Sequence, residues 1–258
     1  MSPQDKINLV SIAIGNGITD ALVQNEYYPD MAADTKYGPI LKAYEIEQMK
    51  RQYPLCKTIS KACYRWQSPI TCVPAEAYCA KVAFDAFDRA GLDPYDIRLA
   101  PGDKKFDTYS NAIDAWLNRP EIQKSLGVDF PHQGCSDKVM ENFLKMGDEM
   151  YPIVDYIPPL LESGLRVLIY AGDADWICNW IGNKAWVMKL DWHGKQGFNQ
   201  AKDITWISKK SSKPAGEYRQ FENFSFLRVY ESSHFVPFDQ PIHSNEFINA
   251  WIRNQSIV

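Results

Sequence analysis

Two short segments place proton-moving groups directly after apolar runs. Val167-Leu-Ile-Tyr-Ala-Gly172 leads into Asp173 and Asp175, and Phe226-Leu-Arg-Val-Tyr230 leads into Ser232, Ser233 and His234. A histidine can take a proton from a hydroxyl nucleophile and return it to a leaving group. A carboxylate beside the ring fixes its tautomer and stabilises the imidazolium. An acid loop followed by a histidine loop is thus the second half of a Ser-Asp-His unit. The first half, a Gly-x-Ser-x-Gly turn, occurs nowhere in the 258 residues. Local pattern does not separate Asp173 from Asp175: one can orient His234 while the other caps the turn or the next helix. Cys178 is a conceivable nucleophile, but no base stands beside it in sequence, and a buried or pocket-lining thiol is the default reading. His132, His193 and His243 read as structural.

These groups need a sheet behind them. Acid before histidine at successive strand ends is the chain order of the α/β-hydrolase fold. Asn8 to Ile14 reads as a third, fully buried strand closed by Gly15-Asn-Gly17, and strands apolar on both faces belong in a parallel sheet covered by helices. Three central strands need protected edges, so the sheet reads as truncated, with its N-terminal strands missing. Residues 1–24 and 160–258 are assigned to this core and 25–159 to a mostly helical cap over the strand ends. Within the cap, helical spacing covers Ala75 to Arg89, Asn111 to Leu117, and Val139, Met140, Phe143 and Leu144, followed by Ile153, Ile157 and Leu160. Ser208 to Gly216 reads as an exposed loop. A closing helix runs from about Pro241 to Ile252, with Asp239 as N-cap and Phe247, Ile248, Trp251 and Ile252 as its apolar face.

A net charge of −4 gives no reason to expect nucleic acid or an anionic membrane as partner. No apolar run is long enough to span a bilayer, and Met1-Ser-Pro-Gln-Asp-Lys6 does not form a signal peptide. Nothing suggests a metal, nucleotide or flavin site. Cys56, Cys63, Cys72 and Cys79 are spaced seven, nine and seven apart, too far for the usual paired zinc ligands. Four cysteines allow three pairings, of which the nested Cys56–Cys79 and Cys63–Cys72 suits the symmetry. The longer loop would contribute about 3 kcal/mol by restricting the unfolded chain. Disulfides imply an oxidising compartment, with which the sequons at Asn223 and Asn254 agree.

The segments Ala171-Gly-Asp-Ala-Asp-Trp-Ile-Cys-Asn-Trp180 and Ser233-His-Phe-Val-Pro-Phe-Asp-Gln-Pro241 resemble those of the serine carboxypeptidases, their fungal vacuolar members in particular. Val10 to Asp20, Thr71-Cys-Val-Pro-Ala75, Tyr95-Asp-Ile-Arg98 and Trp116-Leu-Asn118 match in order and spacing, so the resemblance runs from about Asn8 to Trp251. It implies the C-terminal part of an α/β-hydrolase fold that releases C-terminal residues from peptides, with Asp175 as triad acid and His234 as base. Tyr28, Tyr95, Ile177, Cys178 and Phe235 are implied to line the substrate pocket. Phe235 stands where the family has Met, and Asn25, Ala80 and Glu149 replace its aromatic or amide residues, which leaves the side-chain preference open. The nested disulfides resemble the family's own. Ala33 and Pro101 stand where two other bridges would be, and Cys135 matches a cysteine whose partner precedes this sequence.

The family's nucleophile elbow and oxyanion glycines also precede Asn8. The resemblance therefore implies peptide substrates, a secretory or vacuolar location, and a hydrolase segment or partner chain supplying the serine. The isolated chain is then expected to lack triad-dependent activity. The alternatives are a non-catalytic binding or regulatory fragment, or one chain of a two-chain enzyme.

Overall fold

The computed structural model of the chain describes residues 7–33, 35–103 and 105–258. Met1 to Lys6, read above as carrying no signal peptide, lie outside them. Five strands form one sheet in the order β1-β2-β5-β4-β3. These are β1 (Ser11–Gly15), β2 (Arg166–Gly172), β3 (Ile204–Ile207), β4 (Pro214–Phe221) and β5 (Phe224–Val229). β1, β2 and β5 are parallel, while β4 and β3 continue the sheet antiparallel.

The apolar run of β2 has a direct cause. Successive side chains of a strand point to opposite faces, and here both faces are covered. Val167 and Ile169 pack with Phe224 and Phe226 of β5 and with Trp186 of helix α9 (Trp180–Lys189). Leu168 points the other way, onto Phe247 and Trp251 of helix α12 (Pro241–Ile252). Burying each such side chain contributes about 1.5–3 kcal/mol, so the register that carries the two chemical loops is strongly specified.

Three expectations for the sheet are corrected. β3 and β4 were not read as strands, and the loop expected through Gly216 ends where β4 begins at Pro214. β4 buries Ala215 and Tyr218 beside a buried Arg219, whose Nε donates to Asp203 at 2.8 Å and whose Nη1 donates to the Phe198 carbonyl. That charged residue breaks the apolar pattern. β1 is shorter than expected and half-exposed, because β2 is its one strand partner among the described residues, and Ile7, Leu9 and Val10 before it are exposed.

The helical block runs from Ala21 to Glu162, slightly wider than 25–159. It comprises α1 (Ala21–Gln24), α2 (Tyr28–Ala33), α3 (Ala43–Trp66), α4 (Pro69–Arg89), α5 (Lys105–Leu117), α6 (Pro120–Leu126), α7 (Asp137–Met146) and α8 (Ile157–Glu162). α3 was not expected. Its buried stripe of Ile46, Met49, Tyr53, Cys56, Ser60 and Cys63 has helical spacing but mixes apolar with polar residues around an internal Pro54. Gln67 ends it in the left-handed conformation (φ 42°), its N–H returning to the Cys63 carbonyl, and Pro69 starts α4. The hairpin is closed by the nested disulfides, with Cα–Cα separations of 5.1 Å for Cys56–Cys79 and 4.5 Å for Cys63–Cys72.

Beyond β2 the chain adds α9, α10 (Lys195–Gln200), α11 (Val236–Asp239) and α12. The N-cap of α12 is Gln240 rather than Asp239, whose carboxylate is used elsewhere, and Ile252 of its expected apolar face is exposed. Among the described residues no helix is long and apolar enough to cross a membrane.

Candidate active site

β2 and β5 are parallel neighbours, so their C-terminal loops leave the sheet side by side, with Gly172 opposite Val229. The loops are then laced together. Asp173 N donates to the Val229 carbonyl at 3.0 Å and Ala174 N to that of Ser232 at 2.8 Å. A Cβ on Gly172 would lie 2.2 Å from the Ser233 carbonyl oxygen, so the close crossing of the histidine loop requires glycine there.

This crossing brings His234 Nδ1 to 3.0 Å from Asp175 Oδ2. Asp175 is fully buried and its Oδ1 accepts the Cys178 backbone N–H at 3.1 Å. Burial pushes its carboxyl above the ordinary range, with the hydrogen bond from His234 pulling the other way. The arrangement places the imidazole proton on Nδ1 and leaves Nε2 to exchange a proton with a substrate or nucleophile. The side chain of His234 is partly exposed, as such exchange requires.

The two aspartates have different partners, and those of Asp173 include residues far away in sequence. Asp173 accepts from Tyr37 Oη at 2.8 Å and the Ser232 N–H at 3.3 Å, and pairs with Lys36 at 3.0 Å. It fastens the Lys36–Tyr37 segment to the histidine loop and does not touch His234.

The cap grips both loops through one short segment. The Pro94 carbonyl accepts from Trp176 N and Ile177 N, Ile97 N donates to Ala174 O, and His234 N donates to the Tyr95 carbonyl at 2.9 Å. The Tyr95 ring stands 5.3 Å from the His234 ring and 5.4 Å from that of Phe235. Arg98 completes the fixing. It donates to Asp96 through Nε and Nη2 at 2.7 Å each, to the Glu231 carbonyl at 2.8 Å, and to Asp239 at 2.9 Å. Asp239 in turn accepts the Ser233 N–H at 2.6 Å. Asn16, just beyond β1, donates its amide to the His234 carbonyl, so three strand ends converge on one residue.

Sequence reasoning missed Asn16, Pro94, Arg98 and Asp239 as positioning residues. The Gly15-Asn-Gly17 turn and Tyr95-Asp-Ile-Arg98 stand out in the sequence, but nothing local ties either to His234. The pocket residues read from the resemblance do gather here. Tyr28 donates to the Ile177 carbonyl at 2.7 Å, and Cys178 Sγ lies within 4.8 Å of the ligand atoms of Asp175 and His234. Three donors so close could in principle hold a soft metal. However, Nδ1 and Oδ2 are already bonded to each other, and burial pushes the Cys178 thiol well up, keeping it protonated. The same protonation argues against Cys178 as a nucleophile.

The other histidines lie elsewhere: His132 on Asp114 at 2.7 Å, His193 on Glu222 at 2.8 Å and His243 on Ser211 at 3.0 Å. Cys135 is exposed and unbridged. The two sequons differ in setting. Asn223 Nδ2 donates to the Leu161 and Leu165 carbonyls at 2.9 and 2.7 Å, whereas Asn254 is exposed.

The chain matches the serine carboxypeptidase family (Peptidase S10) over residues 2–254. A vacuolar serine-type carboxypeptidase of Saccharomyces cerevisiae is 39% identical over 257 residues, covering 97% of this chain and 51% of the relative. Carboxypeptidase Y of Candida albicans is 40% identical over 253 residues, with 97% and 46% covered. Carboxypeptidase Y of Schizosaccharomyces pombe is 41% identical over 249 residues, with 95% and 25% covered. The chain therefore spans about half the length of the first two relatives and a quarter of the third. In fold it is similar to the crystal structure of Kex1(delta)p, a prohormone-processing carboxypeptidase from Saccharomyces cerevisiae. That likeness has a TM-score of 0.75 at 22% identity and covers 98% of this chain and 56% of the other. The sheet, the crossing of its strand-end loops and the match across nearly the whole sequence agree: this chain belongs to the serine carboxypeptidase family of peptide hydrolases and has the α/β-hydrolase type of fold.

Proposed function

We propose that this chain carries the acid–base half of a serine carboxypeptidase site, releasing C-terminal residues from peptides once a serine nucleophile and oxyanion donors are supplied. The observation that carries the reading is the 3.0 Å contact between a fully buried Asp175 and a partly exposed His234. In this mechanism His234 Nε2 accepts the serine proton as the hydroxyl attacks the scissile carbonyl. Asp175 stabilises the imidazolium, and the proton then passes to the leaving amine.

The nucleophile comes from a Gly-x-Ser-x-Gly elbow outside these 258 residues, in a preceding segment or a partner chain. One structural feature favours such a companion. β1 is paired by β2 on one side, and its other edge has no strand partner among the described residues while Ile7, Leu9 and Val10 are exposed beside it. An open apolar edge is a template for another strand. The vacuolar relative and the buried disulfides support a secretory or vacuolar location.

The test is hydrolysis of an N-blocked dipeptide by the 258-residue chain and by a version completed with the elbow-bearing segment. The chain alone is expected to show no activity sensitive to His234→Ala. The completed enzyme is expected to be active and to lose activity with that substitution. Activity in the chain alone that disappears with His234→Ala would overturn the split-site reading.

A further inference from the structure

A cavity of about 550 Å³ is lined by Tyr28 and by Ile177, the residue two after Asp175, whose carbonyl accepts the Tyr28 hydroxyl. Its walls are mainly apolar, including Ile18, Tyr28, Phe84 and Met150, with Gln24 and Asn25 as uncharged polar members. Its charged lining is of one sign: Glu76 and Glu149, with the exposed Asp88 beside them. Glu76 is only 7% exposed, and its Oε2 makes no hydrogen bond. Its carboxyl faces the Glu149 backbone amide, but the charges acting on it are those of Glu149 and Asp148, both of its own sign. Buried this way, the Glu76 carboxyl is pushed up to about 7, and that of Glu149 is raised as well.

A carboxylate held out of water without a counter-charge is unfavourable, and an apolar pocket has no use for one. What the cavity lacks is a cation on an apolar stem. Lysine and arginine carry methylene chains that lie along apolar walls while the head reaches a polar group. Here the stem would run along Tyr28 and Phe84 and the head would meet the two glutamates. An uncharged side chain of the same length would fill the walls but leave Glu76 unpaired. An acidic one would add a further like charge.

We propose that this cavity receives a lysine or arginine side chain of the peptide substrate, with Glu76 and Glu149 as its specificity-determining residues. The proposal builds on the peptidase reading of Asp175 and His234, yet it can be tested without turnover. The 258-residue chain is titrated with Nα-acetyl-lysine methylamide and with its norleucine counterpart, which has the same stem without the charge. Binding is followed by the ¹³C resonance of the Glu76 carboxyl.

The lysine probe is expected to bind about tenfold more tightly, the equivalent of one charge-assisted hydrogen bond. It is also expected to move the Glu76 titration below 7, and Glu76→Gln with Glu149→Gln should erase the preference. Equal affinities, a preference that survives both substitutions, or no response at Glu76 to either probe would each overturn the proposal. Should the double variant fail to fold, Glu149→Gln alone, at an exposed position, is expected to reduce lysine binding about threefold, and an unchanged affinity would count against the proposal. Failure of the completed enzyme to hydrolyse any peptide would instead contradict the peptidase reading.

Discussion

Asp175 and Glu76 are both buried carboxyls, one on the sheet side and one on the cap side, and they differ in what meets them. Asp175 accepts from His234 Nδ1 on one oxygen and from the Cys178 amide on the other. Glu76 has an oxygen with no partner, and its charged neighbours are carboxylates. Burial raises the pKa of both, but only in Asp175 does a side-chain donor, His234, pull back. A satisfied buried carboxylate orients its partner. An unsatisfied one is a place for something to bind.

The largest effect expected from breaking this contrast lies on the satisfied side. Asp175→Asn in the completed enzyme should lower kcat about ten-thousandfold, because the amide presents the wrong tautomer to His234 while leaving the shape intact. Steady-state kinetics should show the loss in kcat with KM little changed. Next is Gly172→Ala, whose added Cβ would sit 2.2 Å from the Ser233 carbonyl. Backbone on both sides must shift, and urea unfolding is expected to show a loss of about 3 kcal/mol. Asp173→Ala follows, at about 2 kcal/mol by the same measurement. It strands Tyr37 and the Ser232 amide, while Lys36 is exposed enough to find water.

The smallest effect sharpens the other side. The Glu76 carboxyl binds its proton more tightly folded, at about 7, than its ordinary value of 4.5. Its contribution to stability is therefore full below about 4.5 and is lost as pH rises through 7. Glu149 and Asp148 face it and deepen that loss. Glu76→Gln should accordingly raise Tm at pH 8 and change it little at pH 4, a difference that thermal unfolding at the two pH values would measure.

How much of this was visible in sequence follows from what each residue depends on. His234 and the acid loop were legible because β2 and β5 are buried on both faces, so their apolar runs end abruptly where chemistry begins. The closing helix was legible from Pro241 and from Phe247 and Trp251, but its N-cap was not. Asp239 is drawn away by Ser233 and Arg98, partners that local spacing cannot reveal. The choice between Asp173 and Asp175 depended on Lys36 and Tyr37, more than a hundred residues earlier. β3 and β4 are hidden because this side of the sheet buries Arg219, paired with the exposed Asp203, where an apolar pattern is sought. The symmetric cysteine spacing suggested the nested bridges, but α3 itself was obscured by Pro54 and by the polar members of its buried stripe. Glu76 stood out in no pattern, since its character comes from burial and not from its neighbours in sequence.

The central claim is that Asp175 holds His234 in the tautomer that leaves Nε2 free for proton transfer. The most direct test is ¹⁵N NMR of the His234 imidazole in the folded 258-residue chain at neutral pH, alone and with Asp175→Asn. We predict that the neutral form of the ring carries its proton on Nδ1 in the native chain and that this proton shifts toward Nε2 in the variant. A native ring protonated at Nε2, or a tautomer indifferent to Asp175→Asn, would contradict the account.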